Sequence, residues 1–362
     1  MRVLVIGLDN CGCRIAGEFI ELNRRAKSER RVNIVTSAYA VDNDNEMLTT
    51  LKSKNKELQT IMINKSVEMT GNVSETNAVL MREEGNRILS SIKPSDFYDT
   101  DAVFLVTGAS GTLGSVGLPI MAQQLKDRHV GKPIYALIVL PFESERTNPQ
   151  SIYNTAVCLK STHKIAEAVF LVDNERIKNK ASVSTVEDLQ IMNKDIVNSF
   201  YDLFCASEEV GPKYAGAMTL GIGDMMQTLA GWTAIGVGQT DFPVSGLFKK
   251  TAKSFQEKGS ETQKIMEAMS AALGRLSIDF KPEDTGKALY LLSIPAKGAN
   301  VDMVKTLGNR LRELTNNAEI RGGDFYGARD CAQVTLVLSR LQYVEAVKNF
   351  YDMATSSTKD AK

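Results

Sequence analysis

Short apolar runs alternate with stretches of helical spacing along the first half of the chain. Arg2 to Gly7 (RVLVIG) predicts a first strand, with a helix from Gly12 to Lys27. Val32 to Val41 predicts a second strand ending at Asp42-Asn43-Asp44, and a short third strand is expected at Gln59 to Ile63, with a helix from Asn77 to Ile92. Ala102 to Thr107 (AVFLVT) predicts a fourth strand that enters Gly108-Ala109-Ser110-Gly111, before a helix from Ser115 to His129. Pro133 to Leu140 and Ala168 to Val172 predict the fifth and sixth. Almost purely apolar strands alternating with helices are the pattern of a parallel sheet covered on both faces.

Apolar residues at Leu189, Met192, Ile196, Phe200, Leu203 and Phe204 then keep helical spacing from about residue 186 to 206, predicting one long helix. Beyond it the pattern changes: a Gly- and Met-rich segment from Ala215 to Gly238, strands at Ala288 to Ile294 and Gln333 to Leu338, and a helix from Val301 to Leu314. The expected architecture is an α/β, Rossmann-like parallel-sheet domain (1–185), a long central helix (186–208), a smaller α+β domain (209–354) and a frayed polar tail (355–362).

Composition narrows the function. The 362 residues suffice for two domains, and 43 basic residues cancel 43 acidic ones. Zero net charge argues against nucleic acid or an anionic membrane as the main partner. No apolar run reaches the length of about 18 residues that a spanning helix needs, and the opening run, broken by Gly7 and Asp9, reads as a strand and not a signal peptide. A cytoplasmic protein without membrane insertion is expected. Five cysteines, with only Cys11-Gly12-Cys13 close together, make no disulfide framework. Two scattered histidines, His129 and His163, make neither a zinc cluster nor a nucleophile-base pair.

Ligands of open α/β sheets bind beyond the carboxyl ends of the strands. Two segments there, Gly7-Leu8-Asp9-Asn10-Cys11-Gly12-Cys13-Arg14 and Gly108-Ala109-Ser110-Gly111-Thr112-Leu113-Gly114-Ser115, follow strands and open helices. Small residues let N–H groups approach a phosphate, and a helix N-terminus adds about half a positive charge; each segment also reads as a plain tight turn. Two such loops facing one crevice fit a polyphosphate. A NAD-binding sheet needs only the first, and Asp9 replaces the middle glycine of its fingerprint, where a carboxylate would crowd a pyrophosphate unless a cation intervened. Asp44 offers a Mg²⁺ ligand, and Gly71 and Asn72 offer N–H groups to a terminal phosphate, although Asx turns account for the same residues. Cys11 and Cys13 at a helix start are candidates for a lowered thiol pKa and for shielding by nucleotide.

Together these residues resemble the tubulin/FtsZ superfamily, most closely its archaeal CetZ-like branch. The family's G-Q-C-G-N-Q-I-G loop is echoed by Asp9-Asn10-Cys11-Gly12-Cys13-Arg14-Ile15-Ala16, and its G-G-T-G-[ST]-G signature by Gly108 to Ser115, which include Gly108, Ser110, Gly111, Thr112, Leu113 and Gly114. Pro141-Phe142-Glu143-Ser144-Glu145 is similar to its P-F-x-x-E loop, which implies that Glu145 meets the ribose. Val172-Asp173-Asn174-Glu175-Arg176 places Asn174 at the guanine or ribose, and Met192-Asn193-Lys194-Asp195-Ile196-Val197, similar to I-N-E-E-I-V, makes Asn193 the reader of the guanine edge. Leu189 stands where the family often stacks an aromatic ring on the base.

The resemblance implies binding of GTP and GDP with Mg²⁺, head-to-tail assembly with copies of itself, and slow hydrolysis in a role in cell division or cell shape. In that family an acidic loop of one subunit covers the nucleotide of the next; it aligns with Thr219 to Asp224, where Asp224 keeps one acid and Gly221 replaces the other. A lone carboxylate still orients a water for attack on a γ-phosphate, at reduced rate; Asp224 also reads as a helix N-cap. Thr112, Leu113 and Val116 fall on the signature's glycine and threonine positions and narrow the cradle. A filament or scaffold subunit with weak or absent turnover is the alternative.

Overall fold

The computed structural model describes residues 1–64, 75–129, 131–181, 186–208, 216, 218–242, 255–295, 301–327 and 330–360. They form two compact units, one of residues 1–198 with 344–362, the other of residues 199–343.

In the first unit β1 (Val3–Leu8), β2 (Val35–Asp42), β3 (Gln59–Met62), β4 (Ala102–Gly108), β5 (Ile134–Leu140) and β6 (Ala168–Asp173) make a parallel sheet in the order β3-β2-β1-β4-β5-β6. The inner strands β1 and β5 are buried at every residue, as apolar strands covered on both faces must be. Helices α1 (Asp9–Arg30), α2 (Asn45–Lys54), α3 (Glu75–Ser91), α4 (Pro94–Tyr98), α5 (Thr112–Arg128), α6 (Pro149–His163), α7 (Asn174–Ala181) and α8 (Val186–Asn198) connect or flank them. Lys27 and Arg30 sit in the last turn of α1, where the helix dipole favours cations, and Arg31 ends it in the left-handed conformation. Buried Asn23 of α1 accepts from the N–H groups of Ile34 and Val35 at 2.9 and 3.1 Å, tying helix to strand.

The second unit holds α9 (Tyr201–Ala206), α10 (Ile222–Thr228), β7 (Gly231–Asp241), α11 (Phe255–Gly274), β8 (Thr285–Ile294), α12 (Val301–Leu314), β9 (Glu319–Tyr326) and β10 (Cys331–Leu341), its strands ordered β7-β10-β8-β9. The pairs β7/β10 and β8/β10 are antiparallel, and β8/β9 is parallel. α12 buries Met303, Val304, Leu307, Gly308 and Leu311, one face at helical spacing. α11 lies so close to β7 that a Cβ on Gly238 would stand 2.1 Å from the carbonyl oxygen of Ala268.

Several expectations are corrected. The central helix is two helices: the ladder breaks at Ser199 and Phe200, the first residues of the second unit, although Phe200 keeps a helical backbone and stays buried, so the apolar spacing runs on across the break. The tail is not frayed throughout. A helix, α13 (Glu345–Asp360), carries the chain to Asp360 and packs on α6 in the first unit, with Val347 and Phe350 buried and the Arg146 guanidinium 5.4 Å from the Phe350 ring centre.

Candidate functional site

Sheet register sets the site. Leu8 is level with Val41 on one side and Thr107 on the other, and Gly108 with Val139, so the carboxyl ends of β1, β2, β4 and β5 finish side by side. α1 starts at Asp9, directly after β1, and α5 starts at Thr112 after only three residues. Both helices thus begin three residues earlier than expected. The two candidate phosphate segments are largely first turns of helices, whose N–H groups have no partner within the helix.

Gly12 lies against the neighbouring strand: a Cβ there would stand 2.2 Å from the carbonyl oxygen of Val106. Only glycine lets α1 begin so close to β4. Asp9, at φ +64°, turns its carboxylate onto the same junction. Oδ1 accepts from the Gly12 N–H at 3.0 Å, and Oδ2 accepts from the Thr107 hydroxyl at 2.8 Å and the Gly108 N–H at 3.2 Å. Burial pushes the Asp9 carboxyl up to about 7 against the pull of those three hydrogen bonds, and the charge of Asp42 adds to the rise. Asn10 and Arg14 pair with each other, Arg14 Nε donating to Asn10 Oδ1 at 2.5 Å.

The thiols differ from expectation. Burial, reinforced by the charges of Asp9 and Glu145, pushes Cys11 up. Burial again, with Asp42 and Asp9, pushes Cys13 up, and its thiol lies 3.5 and 3.4 Å from the carbonyl oxygens of Gly7 and Val41. Burial first, and the neighbouring acids after it, outweigh the lowering that a helix N-terminus gives a thiol.

Around the second segment, Gly111 precedes the first turn of α5 without a side-chain cap, and Thr112 and Leu113 are half-buried. The Ser110 hydroxyl lies 3.3 Å from Glu145 Oε1, while Asn154 of α6 donates to the Ser110 carbonyl at 3.0 Å. Glu145 Oε2 accepts from the Phe142 N–H at 2.8 Å. After β6, Asp173 receives Arg146 and the Glu175 N–H, both at 3.1 Å, and half-buried Asn174 opens α7. On α8, Asn193 is half-buried and Leu189 is 40% exposed.

Asp44 caps α2, Oδ1 accepting from the N–H groups of Glu46 and Met47 at 2.9 and 3.1 Å. That leaves Oδ2 for a cation, which suits Mg²⁺ held mainly by phosphate and water. Among the described residues no group of three or more His, Cys, Asp or Glu side chains converges as a metal site. Gly71 and Asn72 lie outside the described residues.

In the second unit Gly221 is the N-cap of α10, and Asp224 occupies the third position, not the cap. Its Oδ2 accepts from the Gly221 N–H at 3.0 Å, and Oδ1 is paired with Arg321 of β9 at 3.1 Å. Arg321 and Thr107 are the residues that sequence reasoning missed. Thr107 carried a signal, as the one polar residue of AVFLVT; Arg321 carried none, lying 97 residues from Asp224.

Two family models cover the chain: "Tubulin/FtsZ family, GTPase domain" matches residues 2–182, and "Tubulin-like CetZ, C-terminal domain" matches residues 182–356. Tubulin-like protein CetZ1 of Haloferax volcanii is 27% identical over 373 residues, spanning 98% of this chain and 92% of the relative. The fold is similar to that of CetZ2 from the same organism, solved as a GTPγS-bound protofilament (TM-score 0.82, 21% identity, 100% and 99% of the two chains). It is also similar to that of CetZ1, solved as a GDP-bound monomer (TM-score 0.81, 23% identity, 99% and 100%). The chain belongs to the tubulin/FtsZ family and to its CetZ-like branch.

Proposed function

We propose that this chain is a cytoplasmic cytoskeletal subunit that binds GTP, assembles head to tail into protofilaments and hydrolyses GTP slowly where two subunits meet. The observation that carries the reading is the alignment of two strand-to-helix turns at one sheet end, Leu8 level with Thr107. The related structures, CetZ2 solved as a GTPγS-bound protofilament and CetZ1 as a GDP-bound monomer, support both nucleotide and assembly.

In this reading Asn10, Cys11, Gly12 and Arg14 form one wall of the phosphate site. Gly108, Ser110, Gly111, Thr112, Leu113 and Gly114 form the other, with Gly71 and Asn72 at the terminal phosphate. Glu145 holds the ribose, Asn174 and Asn193 offer amides to ribose and guanine, and Leu189 covers the base with its exposed apolar side chain. Asp44 would hold, directly or through water, a Mg²⁺ that would neutralise phosphate charge. Asp224 of a neighbouring subunit orients a water; its oxygen bonds to the γ-phosphorus as the bond to the β,γ-bridging oxygen breaks, yielding GDP and phosphate. Since such a contact is heterologous and does not close on itself, it extends as a filament; the role in cell shape or division rests on the family resemblance.

Phosphate release and sedimentation measured against protein concentration test the proposal. Turnover per subunit is expected to rise steeply where polymer appears, and Asp224→Ala to lower it by about 100- to 1000-fold, the range for removing one charge-stabilising group, while polymer still forms. Turnover that is flat in concentration contradicts a shared site. A second reading, a filament subunit with little turnover, is favoured by the Arg321 partner of Asp224; filaments assembled from nucleotide-stripped protein would decide for it.

A further inference from the structure

The donors that a phosphate would use where the two turns meet are already engaged. Gly12 N–H, Gly108 N–H and the Thr107 hydroxyl all donate to the carboxylate of Asp9. Space agrees with bonding: a Cβ on Gly114 would come within 2.5 Å of Asp9 Oδ2, and one on Gly111 would stand 3.5 Å away. The side chain therefore occupies the hollow lined by those glycines. Asp9 stands at the place of the first glycine in the G-Q-C-G-N-Q-I-G motif and keeps a backbone, φ +64°, that glycine adopts without strain. What is added is one planar anion, with two oxygens spaced to take the N–H groups that two phosphate oxygens would take.

We propose that Asp9 is a resident anion of the phosphate cradle, so that a nucleotide's phosphate chain binds only by displacing this carboxylate from Gly12, Thr107 and Gly108. The proposal rests on the reading that these turns face a guanine nucleotide, and it adds that Asp9 sets how strongly this chain discriminates between phosphorylated and unphosphorylated ligands. With the carboxylate seated, the two turns are joined without nucleotide. A phosphate entering beside it meets a like charge and finds the Gly12, Gly108 and Thr107 donors taken; a nucleoside, lacking phosphate, is indifferent to it.

Calorimetry at pH 7.5 with Mg²⁺, using guanosine, GDP and GTP against the full chain and its Asp9→Gly and Asp9→Asn variants, tests this. Glycine suits the backbone and frees all three donors; asparagine keeps the shape and removes the charge. GDP and GTP are expected to bind Asp9→Gly at least 10-fold more tightly than the parent, and Asp9→Asn more tightly by a smaller factor, with guanosine unchanged. Thermal unfolding establishes which variants are folded, and either one suffices. Equal or weaker GDP binding by a folded variant overturns the proposal, as does an equal gain for guanosine. If neither the parent nor a folded variant binds GDP or GTP at millimolar concentration, the nucleotide reading itself falls, and the resident anion with it.

Discussion

Asp9 joins backbone, charge and burial in one residue. An unfolded aspartate titrates near 4, whereas this one is raised to about 7, chiefly by burial. Between those values the unfolded chain has released a proton that the folded chain still holds. Stability therefore falls as pH rises through that window and levels off above about 7. Asp42, itself raised by burial, acts in the same direction, and Cys11, Cys13 and Cys158 also feel the charge of Asp9. The thermal midpoint is expected to drop between pH 5 and pH 8, and less so in Asp9→Asn; identical profiles would remove Asp9 as a cause. For the thiols, burial beside acids predicts slow alkylation of Cys11 and Cys13 at pH 8 in native protein, with labelling at the rate of a simple thiol only after unfolding. That a turn begins at Asp9 is legible in the sequence. That its carboxylate points inward depends on Gly108, 99 residues away, which no local pattern encodes.

Elements were legible where burial is uniform along them. β1, β4, β5 and β6 are apolar nearly throughout because both faces are covered, and their predicted positions agree with the structure to within a residue or two. β7, GWTAIGVGQTD, hid as a glycine-rich segment because its glycines make room for α11. β9, EIRGGDFY, is half-exposed over its first half and, among the described residues, pairs only with β8, so it lacks the apolar run that marks an inner strand. Helices α6, α11 and α13 also lay outside the predicted set. Buried Asn23 shows how a polar residue can fix an element: it serves the N–H groups of Ile34 and Val35 and donates to the Val35 carbonyl at 2.9 Å. Asn23→Ala would strand those groups, at a cost of about 1–3 kcal/mol for buried donors left unmade, and denaturant titration would read it as a lowered midpoint with unchanged slope. A midpoint equal to the parent's would mean that water or backbone movement serves those groups instead.

For the molecule as a whole, the division into units is not the division of the chain. Residues 344–362 return to the first unit, where α13 covers α6. Deleting them would remove the buried Val347 and Phe350 and uncover the face of α6 on which α13 packs, each fully buried apolar side chain being worth roughly 1.5–3 kcal/mol. The deletion is expected to lower the unfolding midpoint of the first unit, tracked by protease resistance of residues 1–198; an unchanged midpoint would deny α13 that part. The sequence by itself determined the α/β class, the order of the six parallel strands along the chain, the turns that follow them and the family, because these depend on local periodicity and on small residues at fixed offsets. Only the tertiary structure decided that α13 belongs with the first unit, that Arg321 holds Asp224 and that Asp9 fills the hollow between two turns. Each of these depends on which distant segments the sheet register and helix packing bring within a few ångströms, and that proximity is a property of the folded chain alone.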